Sequence, residues 1–236
     1  MTKENIIIED IPIVLERKNI KNMYLRVLPP SGEVKISAPM HISDKAIADF
    51  VVSRKDWILE KQKLILSGEI KPEAKYRTGE KHFLWGEEYT LQLILNDKLK
   101  NAVADDEKRI IYLPVSKRSK IKTRQKLLYE FYRAEVKKEL DNVFEKCVGI
   151  VGERPSEVKI RNMKNWGNCR YQDKRITLNL KLAMKNKICL EYVLIHELTH
   201  LIEFNHGKNF KKLMDEFMPN WREIKKKLNK KEGLIV

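Results

Sequence analysis

His196-Glu197-Leu198-Thr199-His200, with His206 six residues further on, is the stretch whose reading decides the rest. The flanking apolar residues Ile188, Leu190, Val193, Leu194, Leu198 and Leu201 predict a buried helix from residue 188 to 204. In a helix, residues four apart lie about 40° from each other on one face. His196 and His200 can therefore reach one metal ion together. Glu197 points to the side of that ion, where a carboxylate can take a proton from a bound water. Zn²⁺ lowers the pKa of such a water to roughly 7. A hydrolytic site has three protein ligands and one open position. His206 is the expected third ligand, with Glu216 on the next helix as the alternative.

A bare HExxH also arises by chance on helices. Three features weigh against chance here. Imidazoles on a largely apolar helix need a partner. Three of only five histidines fall within eleven residues. Asn205-His206-Gly207 reads as a turn that returns His206 to the site, since Asn and Gly both tolerate positive φ.

The 236 residues suit one large or two small domains, and a 42% hydrophobic content suffices for a core. No run of eighteen apolar residues occurs, so no membrane-spanning helix is predicted. Met1-Thr2-Lys3-Glu4-Asn5 lacks the apolar segment of a secretory signal. Cys147, Cys169 and Cys189 are odd in number and widely spaced, which favours reduced thiols and a cytoplasmic setting. Cys169 reads as a small buried residue in preference to a ligand. The net charge of +15 attracts polyanions. Nucleic acid is therefore a candidate partner, although solvated lysines explain the charge equally.

Along the chain, residues 6–37 read as strands, with Pro29-Pro30-Ser31-Gly32 as a hairpin turn. Ser43 is placed to cap a helix that runs to residue 67 with a break near Ser53. Trp57 reads as its core anchor. Residues 76–115 return to strands, with a polar loop over 96–109 and His82 in a strand. A boundary near residue 116 separates an N-terminal β-rich domain, 1–116, from a C-terminal domain, 117–236. The latter opens with a helix from Ile121 to Val148. Val158–Arg161 reads as a strand, Asn165–Cys169 as a turn and Arg175–Leu180 as an alternating strand. Two amphipathic helices follow the metal helix, interrupted at Pro219. No internal repeat is visible. The fold class is α+β.

Trp166-Gly167-Asn168-Cys169, Ile176-Thr177-Leu178-Asn179, the HExxH, Asn205-His206-Gly207 and Pro219-Asn220-Trp221 occur in that order. In this the chain resembles the YgjP-like metallopeptidase family, related to the SprT-like zinc peptidases. Asn168 and Gly207 stand where that family has serine. The resemblance implies a zincin-like core with a small sheet and an active-site helix. It also implies that Arg175–Leu180 is the sheet edge beside the cleft, where an extended peptide could add.

The leading expectation is a zinc-dependent peptidase in which His196, His200 and His206 hold Zn²⁺ and Glu197 is the general base. Its partner is a peptide or protein substrate, with no membrane partner. Asn179, Tyr171 and His82 are candidates for touching substrate or its oxyanion. One alternative keeps the metal but hydrolyses a nucleotide phosphoanhydride, without a Gly-rich phosphate loop to support it. The other is a nucleic-acid-associated protein with a structural metal. Glu197 argues against that, because a structural site is closed by four ligands and needs no base.

Overall fold

The computed structural model describes residues 2–68, 74–96 and 101–229. The chain divides into two compact units, one within Met1–Ala74 and the other within Lys75–Leu234.

In the first unit, β1 (Thr2–Ile8) and β2 (Ile11–Lys18) form an antiparallel hairpin. Its turn residues Glu9 and Asp10 have φ of 50° and 63°, which matches the right-handed strand twist. β4 (Glu33–Pro39) lies parallel to β2, and β3 (Tyr24–Leu28) closes the sheet antiparallel to β4, giving the order β1-β2-β4-β3. Alternation on β2 and β4 turns Ile13, Leu15, Val34 and Ile36 to one face. Ile47 and Val51 of α1 (Asp44–Val52) and Ile58 of α2 (Lys55–Leu66) complete that core. The Ser43 hydroxyl caps α1 by accepting from the Ala46 N–H at 3.3 Å. The break between the helices falls at Ser53-Arg54, as the sequence suggested. Trp57 is not the core anchor. It is 42% exposed, and Ile58 takes the inward position.

The second unit repeats this strand plan. β5 (Lys81–Leu84) and β6 (Glu87–Leu95) form a hairpin, again through two positive-φ residues, Trp85 (53°) and Gly86 (89°). β8 (Ile110–Val115) is parallel to β6, β7 (Val103–Asp105) is antiparallel to β8, and the order is β5-β6-β8-β7. The sequence displays no repeat, yet the pairing senses and order coincide. β7 also occupies part of the span read as a loop; residues 97–100 of that loop lie outside the described residues.

Residues 75–116 thus pack with the second unit, where the sequence had placed them with the first. Non-local bonds explain this. The Trp85 N–H donates to the Ala183 carbonyl at 2.6 Å, the Trp85 indole N–H to Glu135 at 3.2 Å, and Gln125 to the Tyr76 hydroxyl at 3.1 Å. No local pattern encodes them.

α3 (Ile121–Val151) buries Leu128, Phe131, Tyr132, Val136, Leu140, Cys147 and Val151 at helical spacing. It passes through Gly149 and ends at Gly152, which sits at φ 80°. A three-stranded sheet follows. β9 (Glu157–Arg161) is parallel to β11 (Arg175–Asn179), and β10 (Gly167–Arg170) is antiparallel to it. β11 is therefore the middle strand and not the edge. Its Ile176 and Leu178 are fully buried, and β10 forms the edge out of residues read as a turn.

A 3₁₀ turn (Leu180–Met184) leads to α4 (Lys187–Thr199), capped by the Asn186 side chain, which accepts from the Ile188 N–H at 3.1 Å. α4 packs against α3, β10, β11, α5 (Lys208–Phe217) and α6 (Trp221–Asn229). Among the described residues no helix is long and apolar enough to cross a membrane.

Candidate metal centre

α4 ends sooner than its apolar pattern suggested. The Leu201 and Ile202 N–H groups bond three residues back, to Leu198 and Thr199, so the last turn tightens after His200. The chain then doubles back through residues 203–207, and His206 returns to the helix. Neither Asn205 nor Gly207 has positive φ; Gly207 sits at −73°.

The three imidazoles converge. His206 Nε2 lies 3.0 Å from His196 Nε2 and 3.1 Å from His200 Nε2. Three ligands of a tetrahedral zinc bonded at about 2.0–2.1 Å stand about 3.3 Å apart, close to these spacings. His200 Nδ1 lies 3.1 Å from the Glu203 carbonyl, which can only accept. The proton therefore sits on Nδ1, leaving the Nε2 lone pair facing the other two rings. Burial depresses the pKa of all three histidines, that of His196 to about 3, with the neighbouring histidines and Lys225 adding to the effect there. Neutral imidazole is the form that binds metal. Among the described residues this is the group of metal-ligating side chains that converges. Glu216 is exposed on α5 and outside it.

Phe210 holds the cluster from below. It is 1% exposed, and its ring centroid lies 4.9, 4.7 and 4.8 Å from those of His196, His200 and His206. The sequence marked Phe210 only as part of an amphipathic helix. Tyr192 adds a wall, 5.8 Å from His196 and stacked on Trp221 at 6.5 Å.

Glu197 is buried, and burial pushes its carboxyl up to about 8. It stands directly against Gly167 on β10: a Cβ there would lie 2.4 Å from Oε1 and 2.8 Å from Cδ. Gly167 thus lets the edge strand pass over the carboxylate. A cavity of about 220 Å³ opens here, with Trp166, Gly167, His196, Glu197, His206 and Lys225 among its walls.

Asn179, expected as a substrate contact, is 2% exposed with its amide engaged. Its Nδ2 donates to the Met163 and Asn165 carbonyls, both at 2.8 Å, and its Oδ1 accepts from the Lys181 N–H at 3.1 Å. It ties down the loop that delivers Trp166 and Gly167. Cys169 is half-buried, its thiol pushed up to about 11 by burial and by Glu197, and lies outside the histidine group. Tyr171 is exposed beyond β10, and His82 is buried on β5 against Tyr76; neither lines the cavity.

Convergent neutral imidazoles beside a buried carboxylate are a donor set that could hold a metal ion. Comparison with known proteins gives the class its particular form. The family model for the YgjP-like metallopeptidase domain matches residues 21–231, nearly the whole chain, and the chain belongs to that family of metal-dependent hydrolases. No curated protein matches it. Among solved structures, the chain is similar to the metallopeptidase zymogen of Pyrococcus abyssi abylysin. Identity there is 26% and the TM-score 0.35, over 38% of this chain and 90% of that one.

Proposed function

We propose that the protein is a zinc-dependent peptidase in which His196, His200 and His206 hold the ion and Glu197 is the general base. The observation that carries this reading is the approach of His196 Nε2 and His200 Nε2 to within 3.0 and 3.1 Å of His206 Nε2, beside a buried carboxylate. A set of three nitrogen ligands suits zinc, whose catalytic sites keep a fourth position open. When bound, the ion supplies Lewis acidity, acidifying water and polarising the scissile carbonyl.

The chain's own residues do the rest. Glu197 takes a proton from the attacking water and passes it to the leaving amine. Its apolar surroundings favour the protonated acid, and a dication nearby favours the carboxylate. Those opposing pulls suit a group that must hold and release one proton per cycle. The free edge of β10 is the natural seat for substrate. β11 occupies one side of that strand, and no strand lies on the other among the described residues. An extended peptide adding there would pass Gly167, directly over Glu197.

The test is a mixed peptide library incubated with zinc-loaded protein and read by mass spectrometry, beside Glu197→Gln. Fragments from wild type alone are expected. Equal fragmentation by both proteins, or none by either, would contradict the proposal.

A further inference from the structure

The cavity over the metal centre contains one cation that the chemistry above does not use. Lys225 projects from α6 and lines the cavity with His196, Glu197 and His206. Its ammonium lies 5.7 Å from the centre of the Trp221 ring, and no carboxylate pairs with it among the described residues. Its neighbour Arg222, by contrast, is paired with Asp215. Among the described residues Glu197 is the only acidic one of the cavity wall. With a dication in place, the charges of the described lining residues sum to a positive value whichever protonation state Glu197 holds. Like charges close together are costly unless an anion joins them.

The rest of the chain points the same way. Residues 1–74 carry 12 Lys and Arg against 11 Asp and Glu, a net charge of +1. The whole chain is +15, so +14 falls on residues 75–236 (15 − 1), the part that holds the site. The excess cation is thus concentrated in that unit, and Lys225, exposed on α6, is the cation that lines the cavity among the described residues.

We infer that Lys225 receives a carboxylate of the substrate, so that the peptides taken are acidic next to the bond to be cleaved. This rests on the peptidase reading and names its substrate class. The carboxylate has two possible sources, an Asp or Glu side chain or the peptide's own C-terminus. The Lys225 ammonium lies over the Trp221 ring, which is itself fixed by its indole N–H donating to Asp215 at 2.8 Å and by stacking on Tyr192. The aromatic ring thus presents the ammonium while leaving its hydrogen bonds for a ligand.

The experiment uses full-length zinc-loaded Glu197→Gln, which binds without turnover, with and without Lys225→Met, Lys225→Arg or Lys225→Glu. The probes are fluorescent peptides matched in pairs: internal Glu against Gln with an amidated C-terminus, and neutral sequences with a free against an amidated C-terminus. Anisotropy should show one acidic member binding about tenfold tighter than its neutral partner. The advantage should vanish in Lys225→Met, survive in Lys225→Arg and reverse in Lys225→Glu. The pair that shows it identifies the source.

Equal binding within both pairs, or an acidic preference that survives Lys225→Met, would overturn the inference. Cleavage by otherwise wild-type Lys225→Met is the second readout. A fall in kcat equal for acidic and neutral peptides, with binding unchanged, would also overturn it, since that is the mark of a group acting on the oxyanion. An acidic preference in binding without cleavage by wild type would keep Lys225 and contradict the peptidase reading instead.

Discussion

Gly167 and Glu197 touch: no side chain of any size fits between the edge strand β10 and the carboxylate of the metal helix. The Cβ of an alanine at 167 would stand 2.4 Å from Glu197 Oε1. Either the strand lifts or the carboxylate turns away. Gly167→Ala is expected to lower kcat by at least tenfold, because misplacing a catalytic group by about 1 Å costs up to about a hundredfold. Bound zinc should stay near one per chain, since no ligand is disturbed. Steady-state kinetics with parallel metal analysis check this, and unchanged kcat would show that the contact is slack.

Glu197→Gln keeps the shape and removes the base. Activity is expected to fall by about 10²–10⁴ with zinc content preserved. Loss of zinc along with activity would make Glu197 a ligand or a structural support instead.

Phe210 packs on all three imidazoles at once, so its loss should be felt at the metal. Phe210→Ala is expected to destabilise the fold by about 3–5 kcal/mol and to weaken zinc binding in a chelator competition. Phe210→Leu should recover most of the stability and part of the affinity. Affinity equal to wild type in both would reduce Phe210 to ordinary core.

His82 gives a pH dependence away from the metal. Burial depresses its pKa to about 4, and neither ring nitrogen has a partner. An unfolded histidine titrates near 6.5, so between about 6.5 and 4 the unfolded chain binds the proton and the folded chain resists it. Stability is fully present above that window and lost as pH falls through it, by about 1.4 kcal/mol per unit for this group. His82→Phe should flatten the slope by that amount. Urea denaturation of both proteins from pH 8 to pH 4.5 measures it, and parallel curves would contradict it.

How much of this was legible beforehand follows from range. The His196–His200 pair and Glu197 were readable because helical periodicity is local, and His206 because a short turn could return it. Gly167 was not, since its role depends on which strand crosses α4. The resemblance implied that β11 was the edge, but strand order is set by pairing with β9, where Arg175 meets Glu157 and Asn179 meets Arg161 far back in the chain. The division near residue 74 has no local signal for the same reason. The bonds that place β5 with the catalytic unit run from Trp85 to Ala183 and Glu135. The twice-used strand plan left no repeat in the sequence, because pairing order tolerates any residues that keep the inward face apolar.

The three-histidine centre itself is tested most directly by metal content per chain, measured by mass spectrometry on wild type and His206→Ala after identical zinc loading and desalting. About one zinc in wild type and a small fraction of that in the variant is the expected result. Full zinc retention in His206→Ala would place the third ligand elsewhere, and no zinc in wild type would leave three converging imidazoles without the ion that explains them.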